Sequence, residues 1–405
     1  MSTRALLLAG GVLTAGCAST PPATPPSPAA SGPSASCLLV TDSTGPTRVI
    51  TAAFDDPADA RLARLAATLD APVRLDCEGR PLPGLAVAWS RDTSGRFWTL
   101  ELGEPSAPDS AVRWTAAALA ATWRADPDAN AALEWEGVES LLPLDARRLV
   151  VGFQAPVPEL PSLFADRSLG VARGDRRLGL EPTAPGGDLR DAVDGGADLI
   201  HTGDPELLDY AGQRPGLTQV PLPWSRSYLL VLPSRSPGVG TAVPADTATF
   251  RAGLARDAVR IDARVPEAPF WWEQRDACVQ RPAPAAGRQP LNAIAYPAAD
   301  PVARDLAERI VALAGAAELT ARGLPPDSFA AALRGGSARA FVVAVPRHAA
   351  VACRETAAWP PRVAVVPLIE TRPHAVLRRG APPLLVEWDG ALRATGAGER
   401  SAATP

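Results

Sequence analysis

Residues 74–86 read RLDCEGRPLPGLA. Val73 to Asp76 reads as a short strand, and Gly79-Arg80-Pro81 supplies the chemistry of a turn, because glycine accepts positive φ and proline fixes its own φ. Leu85 to Trp89 is a second strand, and Phe97 to Leu102 a third, reached through Ser94-Gly95. On the N-terminal side, Cys37 to Val40 and Val49 to Ala53 are short strands, and Pro57 to Leu69 carries Leu62, Leu65 and Leu69 at helical spacing. A chain that alternates strands with helices over such short intervals is an α/β protein.

The same grammar continues toward the C-terminus. Trp114 to Trp123 is an alanine-rich helix with Thr115 placed to cap it. Arg148 to Phe153 is a strand, followed by a proline-punctuated loop and short helix at Pro156 to Phe164. Asp188 to Val193 reads as a helix that stops at Gly195-Gly196 before the strand Ala197 to His201. Trp224-Ser225-Arg226-Ser227 precedes the strongest apolar strand, Tyr228 to Leu232. A helix at Phe250 to Val259 and a linker at Gly287 to Pro290 follow. Then come a strand at Leu291 to Tyr296, a strongly amphipathic helix at Pro301 to Ala314 and a strand at Leu319 to Leu324. A short helix at Phe329 to Leu333 and a strand at Ala340 to Val345 complete the pattern.

Composition is that of a folded globular protein, with 46% hydrophobic and 21% charged residues, while 44 prolines and 33 glycines imply many rigid turns. A formal net charge of −4 argues against the basic surface a nucleic-acid binder needs. After an N-terminal leader, roughly 390 residues exceed what one core usually organises, so two lobes are expected.

Met1 to Cys17, MSTRALLLAGGVLTAGC, has the pattern of a bacterial lipoprotein signal peptide. Arg4 is the positive region, Ala5 to Leu13 the apolar segment, and Thr14-Ala15-Gly16 the small residues before the cysteine. Cys17 is therefore the expected lipid attachment point; the alternative is an ordinary secretory signal in which Cys17 is incidental. The apolar run is shorter than the ~20 residues a spanning helix requires. Residues 18–36 are almost wholly Ala, Ser, Thr, Pro and Gly, a tether that cannot bury a core. Stable anchoring through it would need several acyl chains.

Four cysteines remain: Cys37, Cys77, Cys278 and Cys353. In an exported chain an even number favours disulfides, and no C-x-x-C spacing is present. Of three connectivities, Cys37–Cys77 with Cys278–Cys353 keeps each bridge within one half of the chain. Closing a loop of about forty residues contributes roughly 4 kcal/mol in the chain-entropy treatment.

Several segments, in order, resemble the family 5 extracellular solute-binding proteins, the peptide, dipeptide and nickel receptors of ABC importers. Arg74 to Ala86 is similar to that family's strand, acidic-Gly turn and P-x-L-A segment. Trp89 with Phe97 to Leu102 is similar to its next hairpin, and Arg113-Trp114-Thr115-Ala116 to its T-A-x-D helix start. Asp145 to Val151 with Ala155 to Pro158, Asp194 to Ile200, Pro215 through Leu229, Asp300 to Glu308 and Phe329 to Leu333 resemble later family segments in the same order. Glu387-Trp388-Asp389-Gly390 resembles the closing segment. Between Leu169 and Leu189 the chain is shorter than the family pattern and lacks its G-T-G-P-Y and Y-W segments, which wall the ligand cavity.

The resemblance implies a two-lobed α/β fold of the type II periplasmic-binding-protein class with an inter-lobe cleft. Expected boundaries are a signal peptide at 1–17, a tether at 18–36, lobe one at 37–231, lobe two at 232–362, and a return to lobe one at 363–405. It further implies a monomeric receptor with no cofactor; with the Met1 to Cys17 signal, this places it as an exported protein lipid-anchored to the cell envelope, at the periplasmic face of the inner or outer membrane or at the cell surface. Such a receptor closes by a hinge over a small-molecule or peptide ligand and presents it to an ABC transporter permease. A second reading is a degenerate scaffold kept as a structural envelope lipoprotein, in which the lobes would pack face to face through apolar side chains.

No catalytic constellation stands out: G-x-S-x-G, H-E-x-x-H, a Walker loop and G-x-G-x-x-G are all missing. The chain is therefore read as a non-enzyme, unless carboxylates such as Asp198 and Asp204 converge in a pocket. His201, His348 and His374 lie far apart in sequence, and no metal site is expected from their spacing. The ligand-contacting candidates are Trp271 and Trp272, able to stack in a cleft; Trp224, Arg226 and Tyr228 at the crossover; and His201 and Asp204 just after a strand end. A purely structural role serves each of these residues equally well.

Overall fold

The structure, a computed structural model, describes residues 34–39, 50–55, 57–103, 114–172, 180–182, 188–233, 247–266, 291–314, 318–347, 359 and 363–394. Cys17, Trp271, Trp272, Cys278, Cys353 and His348 lie outside them.

In the 74–86 stretch, Val73–Leu75 pairs antiparallel with Pro81–Pro83, so the turn narrows to residues 76–80. Asp76 organises it. Its buried carboxylate accepts the backbone N–H of Glu78 at 3.0 Å, of Arg80 at 2.9 Å and of Ser34 at 2.9 Å, and the Arg80 Nε–H at 3.0 Å. Gly84 is required by close approach: a Cβ there would stand 2.2 Å from the Ala71 carbonyl oxygen. The expected Cys37–Cys77 disulfide is present and ties residue 37 to this turn.

A four-stranded antiparallel sheet follows, in the order Ala86–Arg91, Phe97–Leu102, Arg148–Phe153, Val138–Pro143. Helices Ala116–Ala125 and Pro127–Trp135 cover one face, and Thr115 caps the first by accepting the Ala118 N–H. Trp123 is fully buried in that core, its indole N–H donating to the Leu169 carbonyl at 2.9 Å.

Two larger sheets carry the architecture. The first has the order Leu180–Pro182, Ile50–Phe54, Leu199–Thr202, His374–Arg378, Leu217–Pro221. Alternate residues point to opposite covered faces: Ala52 and Leu199 pack with Ala63, while Ala53 and Ile200 pack with Val193 and Leu207. The second has the order Ala263–Arg264, Val363–Thr371, Arg226–Pro233, Ala338–Pro346, Leu291–Pro297, Thr320–Leu324. Tyr228 and Leu230 face helices Thr247–Asp257 and Pro301–Ala314, whereas Leu229 and Val231 face helix Pro326–Gly335. The Pro301–Ala314 helix buries Val302, Ala303, Leu306, Ala307 and Ile310. Each large aliphatic side chain of that stripe contributes about 1.5–3 kcal/mol relative to exposure.

The chain therefore passes between the two large sheets twice, at residues 222–225 and 372–373. The expected division at 231/232 falls inside strand Arg226–Pro233, and that at 362/363 coincides with the start of strand Val363–Thr371; the two strands pair with each other in the second sheet from Arg226↔Thr371 to Pro233↔Val363. A continuous apolar run marks a strand but not the sheet it joins.

The C-terminal segment is pinned to the first lobe by a buried charge network. Arg167 bonds Asp389 at 2.7 Å and Glu387 at 2.6 Å, and Arg393 bonds Glu387 at 2.8 Å and Asp70 at 3.0 Å. Burial alone would push the Glu387 carboxyl up, but Arg393, Arg167 and Arg74 outweigh it and hold it at about 2, against 4.5 when free.

Candidate ligand cleft

Phe54 and His201 are partners in the parallel pairing of Ile50–Phe54 with Leu199–Thr202, so both strands end at the same edge of the first sheet. Asp55 follows at once, its N–H donating to the His201 carbonyl at 3.2 Å. Its Oδ2 accepts the Thr202 hydroxyl at 2.9 Å and the Gly203 N–H at 2.7 Å. Each strand then feeds a helix. Asp59 lies in the first turn of Pro57–Thr68, and Asp204 caps Pro205–Gly212 by accepting the Glu206 N–H at 2.9 Å, with Pro205 at the first helical position.

The second sheet faces this edge with a matching device. After strand Leu291–Pro297, Asp300 accepts the Ala303 N–H at 2.9 Å at the start of helix Pro301–Ala314. Asp300 also accepts the hydroxyl of Tyr228 at 3.2 Å. Tyr228 is buried, and burial first, then the Asp300 charge, drives its phenol well above the ordinary tyrosine range. It stays neutral and donates. Arg226, two residues earlier on the crossing strand, donates from Nη2 to Asp59 Oδ1 and so ties the second sheet to the first lobe's helix.

Between these elements lies a cleft of about 620 Å³, within the usual size range of small-ligand sites. Asp55, Asp59, Asp204 and Glu206 line it from the first lobe; Asp300, Asp305, Arg260 and Arg304 line it from the second; Arg226, Tyr228 and Arg372 line it at the crossings. Six carboxylates and four guanidiniums thus surround one volume, and three helix N-termini open into it, each carrying its own acidic residue. Such a lining suits a ligand bearing both signs of charge, and it is not an apolar lobe-to-lobe contact.

The crossings themselves are held by charged and aromatic contacts. The guanidiniums of Arg264 and Arg372 both lie over the Trp224 ring, 4.5 and 4.6 Å from its centre. The fully buried Glu370 accepts from Arg264 at 2.7 Å and Arg347 at 2.9 Å, and Asp262 accepts from Arg372 at 3.0 Å.

Among the expected ligand-contacting residues, Arg226, Tyr228 and Asp204 line the cleft together. His201 lies just beneath it, buried, with Asp55 and Asp59 beside it. Trp224 sits at the crossing with its ring occupied by the two arginines. Asp198 and Asp204 do not converge: Asp198 accepts the Thr51 N–H at 3.0 Å at the start of the strand whose far end leads to Asp204. Asp55, Asp59, Asp300, Arg260 and Arg372 were not legible as cleft residues, because only tertiary pairing brings them together. One donor set is compact: an oxygen of Asp55, an oxygen of Asp59 and a nitrogen of His201 lie within 4.8 Å of one another.

No family model matches the sequence, and no curated protein does. Solved structures do match. Haemophilus influenzae OppA, in complex with the peptide RPPGFSPFR, aligns over 87% of this chain and 100% of its own, with TM-score 0.56 and 12% identity. Its fold is that of the family 5 extracellular solute-binding proteins. Campylobacter jejuni NikZ in complex with Ni(L-His) aligns over 86% of this chain and 98% of its own, at TM-score 0.56 and 11% identity. The Escherichia coli murein tripeptide binding protein MppA aligns over 87% and 99%, at 0.56 and 9%. These identities mark a divergent chain in which the two-lobed type II binding-protein fold persists.

Proposed function

We propose that this protein is an extracytoplasmic solute-binding lipoprotein, tethered through Cys17 and the 18–36 arm, that captures a short peptide-like or other zwitterionic small molecule for an ABC importer. The observation that carries the reading is the polar cleft at the chain crossings, with Asp55, Asp59 and Asp204 on one wall and Arg260 and Arg304 on the other. A ligand's ammonium and carboxylate ends would each find a partner there. The short crossings at 222–225 and 372–373 are the segments about which the lobes would close, delivering the closed form to the permease. An open, charge-lined cleft favours this over the degenerate-scaffold alternative, whose lobes would meet through apolar surfaces.

The test is calorimetric titration with di-, tri- and pentapeptides, paired with thermal melts. A true ligand at a hundredfold excess over Kd stabilises the fold by about 2.7 kcal/mol. Arg226→Ala should change its affinity by roughly tenfold, since a change of about 1.4 kcal/mol is one decade. No heat and no melting shift with any peptide would remove the receptor reading. For the tether, Cys17→Ser should move the protein from membrane to soluble fractions; continued membrane association would place the anchor elsewhere.

A further inference from the structure

We propose that Asp55, Asp59 and His201 form a binding site for a first-row divalent cation of the Zn²⁺ type at the first-lobe wall of the cleft. The site stands on its own donor set and does not depend on what organic ligand the cleft takes. His201 is 2% exposed. Its Nδ1 is buried, forms no hydrogen bond among the described residues, and lies 3.6 Å from Asp59 Oδ2. An imidazole nitrogen left without a partner at that depth is costly unless something else satisfies it. In a tetrahedral zinc centre, neighbouring donor atoms stand about 3.4 Å apart, as bond lengths of about 2.0–2.2 Å require. The His201–Asp59 pair already has nearly that spacing, and the third donor, on Asp55, is within 4.8 Å.

Hydrogen bonds hold each carboxylate in place beside the histidine. Asp55 commits Oδ2 to Thr202 and Gly203, which fix the side chain, and both hydrogen bonds go to that one oxygen. Asp59 commits Oδ1 to Arg226, while Oδ2 is the oxygen on the His201 side. One nitrogen with two oxygens suits Zn²⁺, Co²⁺ or Ni²⁺ better than the all-oxygen shells Ca²⁺ and Mg²⁺ prefer. Asp55 and Asp59 both line the cleft, so three protein donors would leave a coordination position facing it, the pattern of sites that also engage a second ligand.

The experiment uses tag-free, full-length protein stripped with EDTA and titrated with ZnCl₂ by calorimetry, with CoCl₂ read in parallel by its visible absorption. One Zn²⁺ per chain is expected, with a Co²⁺ spectrum of low-symmetry N,O ligation. Asp55→Asn and His201→Gln should each weaken binding roughly tenfold or more. Asp55 is exposed, and Asn keeps an oxygen to accept the Thr202 and Gly203 hydrogen bonds, so a melt of this variant matching the parent's lets it decide the matter even where His201→Gln lowers stability. Absence of Zn²⁺ binding by the parent protein, or unchanged affinity in Asp55→Asn, overturns the proposal. Neither result bears on peptide capture, which is measured separately without metal.

Discussion

Replacing Glu387 by Gln should destabilise the protein in a pH-dependent way that isolates one buried charge. Glu387 commits Oε1 to Arg393 and Oε2 to Arg167 and is 3% exposed. Burial works against its ionisation, but the flanking arginines overcome it, so the folded form holds the carboxyl at about 2 while the unfolded chain sits near 4.5. Because the folded value is the lower one, the contribution is fully present above 4.5 and is lost as pH falls toward 2. That difference corresponds to about 3 kcal/mol. Glutamine keeps the shape without the charge, and Arg167 and Arg393 retain Asp389 and Asp70. The variant should therefore fall by about 3 kcal/mol at neutral pH, at the low end for breaking a buried pair, with melting lowered by about 5 °C. Urea unfolding followed by tryptophan fluorescence, at several pH values from about 7 to about 3, gives the gap between parent and variant. The gap should shrink steadily on acidification below 4.5. A gap under about 1 kcal/mol at neutral pH, or one that does not change with pH, would refute the reasoning.

Removing the Cys37–Cys77 bridge by a double Ser replacement should lower unfolding free energy by about 2–4 kcal/mol, seen as a shifted urea midpoint. Asp300→Ala removes a helix cap and the acceptor of the buried Tyr228 hydroxyl, for a loss of about 2 kcal/mol or more, whereas Asp300→Asn, which keeps an acceptor oxygen, should lose less. His374 is lowered below 6.5 by burial, with Asp262 opposing and Arg372 adding to the effect. Its contribution is present above 6.5 and lost as pH falls through the folded value, so His374→Phe should flatten the stability decline on mild acidification; an unchanged slope would argue against it.

Local signals carried much of the fold. Arg148–Phe153 and Pro301–Ala314 have their expected bounds because alternation and a five-residue apolar stripe are properties of the segment alone. Thr115 caps its helix for the same reason. Asp204-Pro205-Glu206 has the form of a helix start, a local signal for the helix Pro205–Gly212 that the strand end before it obscures; Asp204 serves as cap and cleft wall together. The cleft was half legible. Arg226 and Tyr228 stand out beside a strong apolar strand, but nothing in the spacing of Asp55, Asp59 and His201 links them. Their proximity arises from parallel pairing across 147 positions, as in the Thr202–Asp55 hydrogen bond, and sequence periodicity has no reach at that range.

The strand His374–Arg378 lies between Leu199–Thr202 and Leu217–Pro221. A ribosome delivers it only after the whole second sheet has emerged. Until then Leu217–Pro221 has no neighbour in its sheet, and Leu199–Thr202 presents an open edge. The segment from 226 to 371, by contrast, contains every strand of its own sheet. The nascent chain should thus complete its later-made half first and its earlier-made half last. During that interval the edge of Leu199–Thr202 is an open template for pairing with other chains.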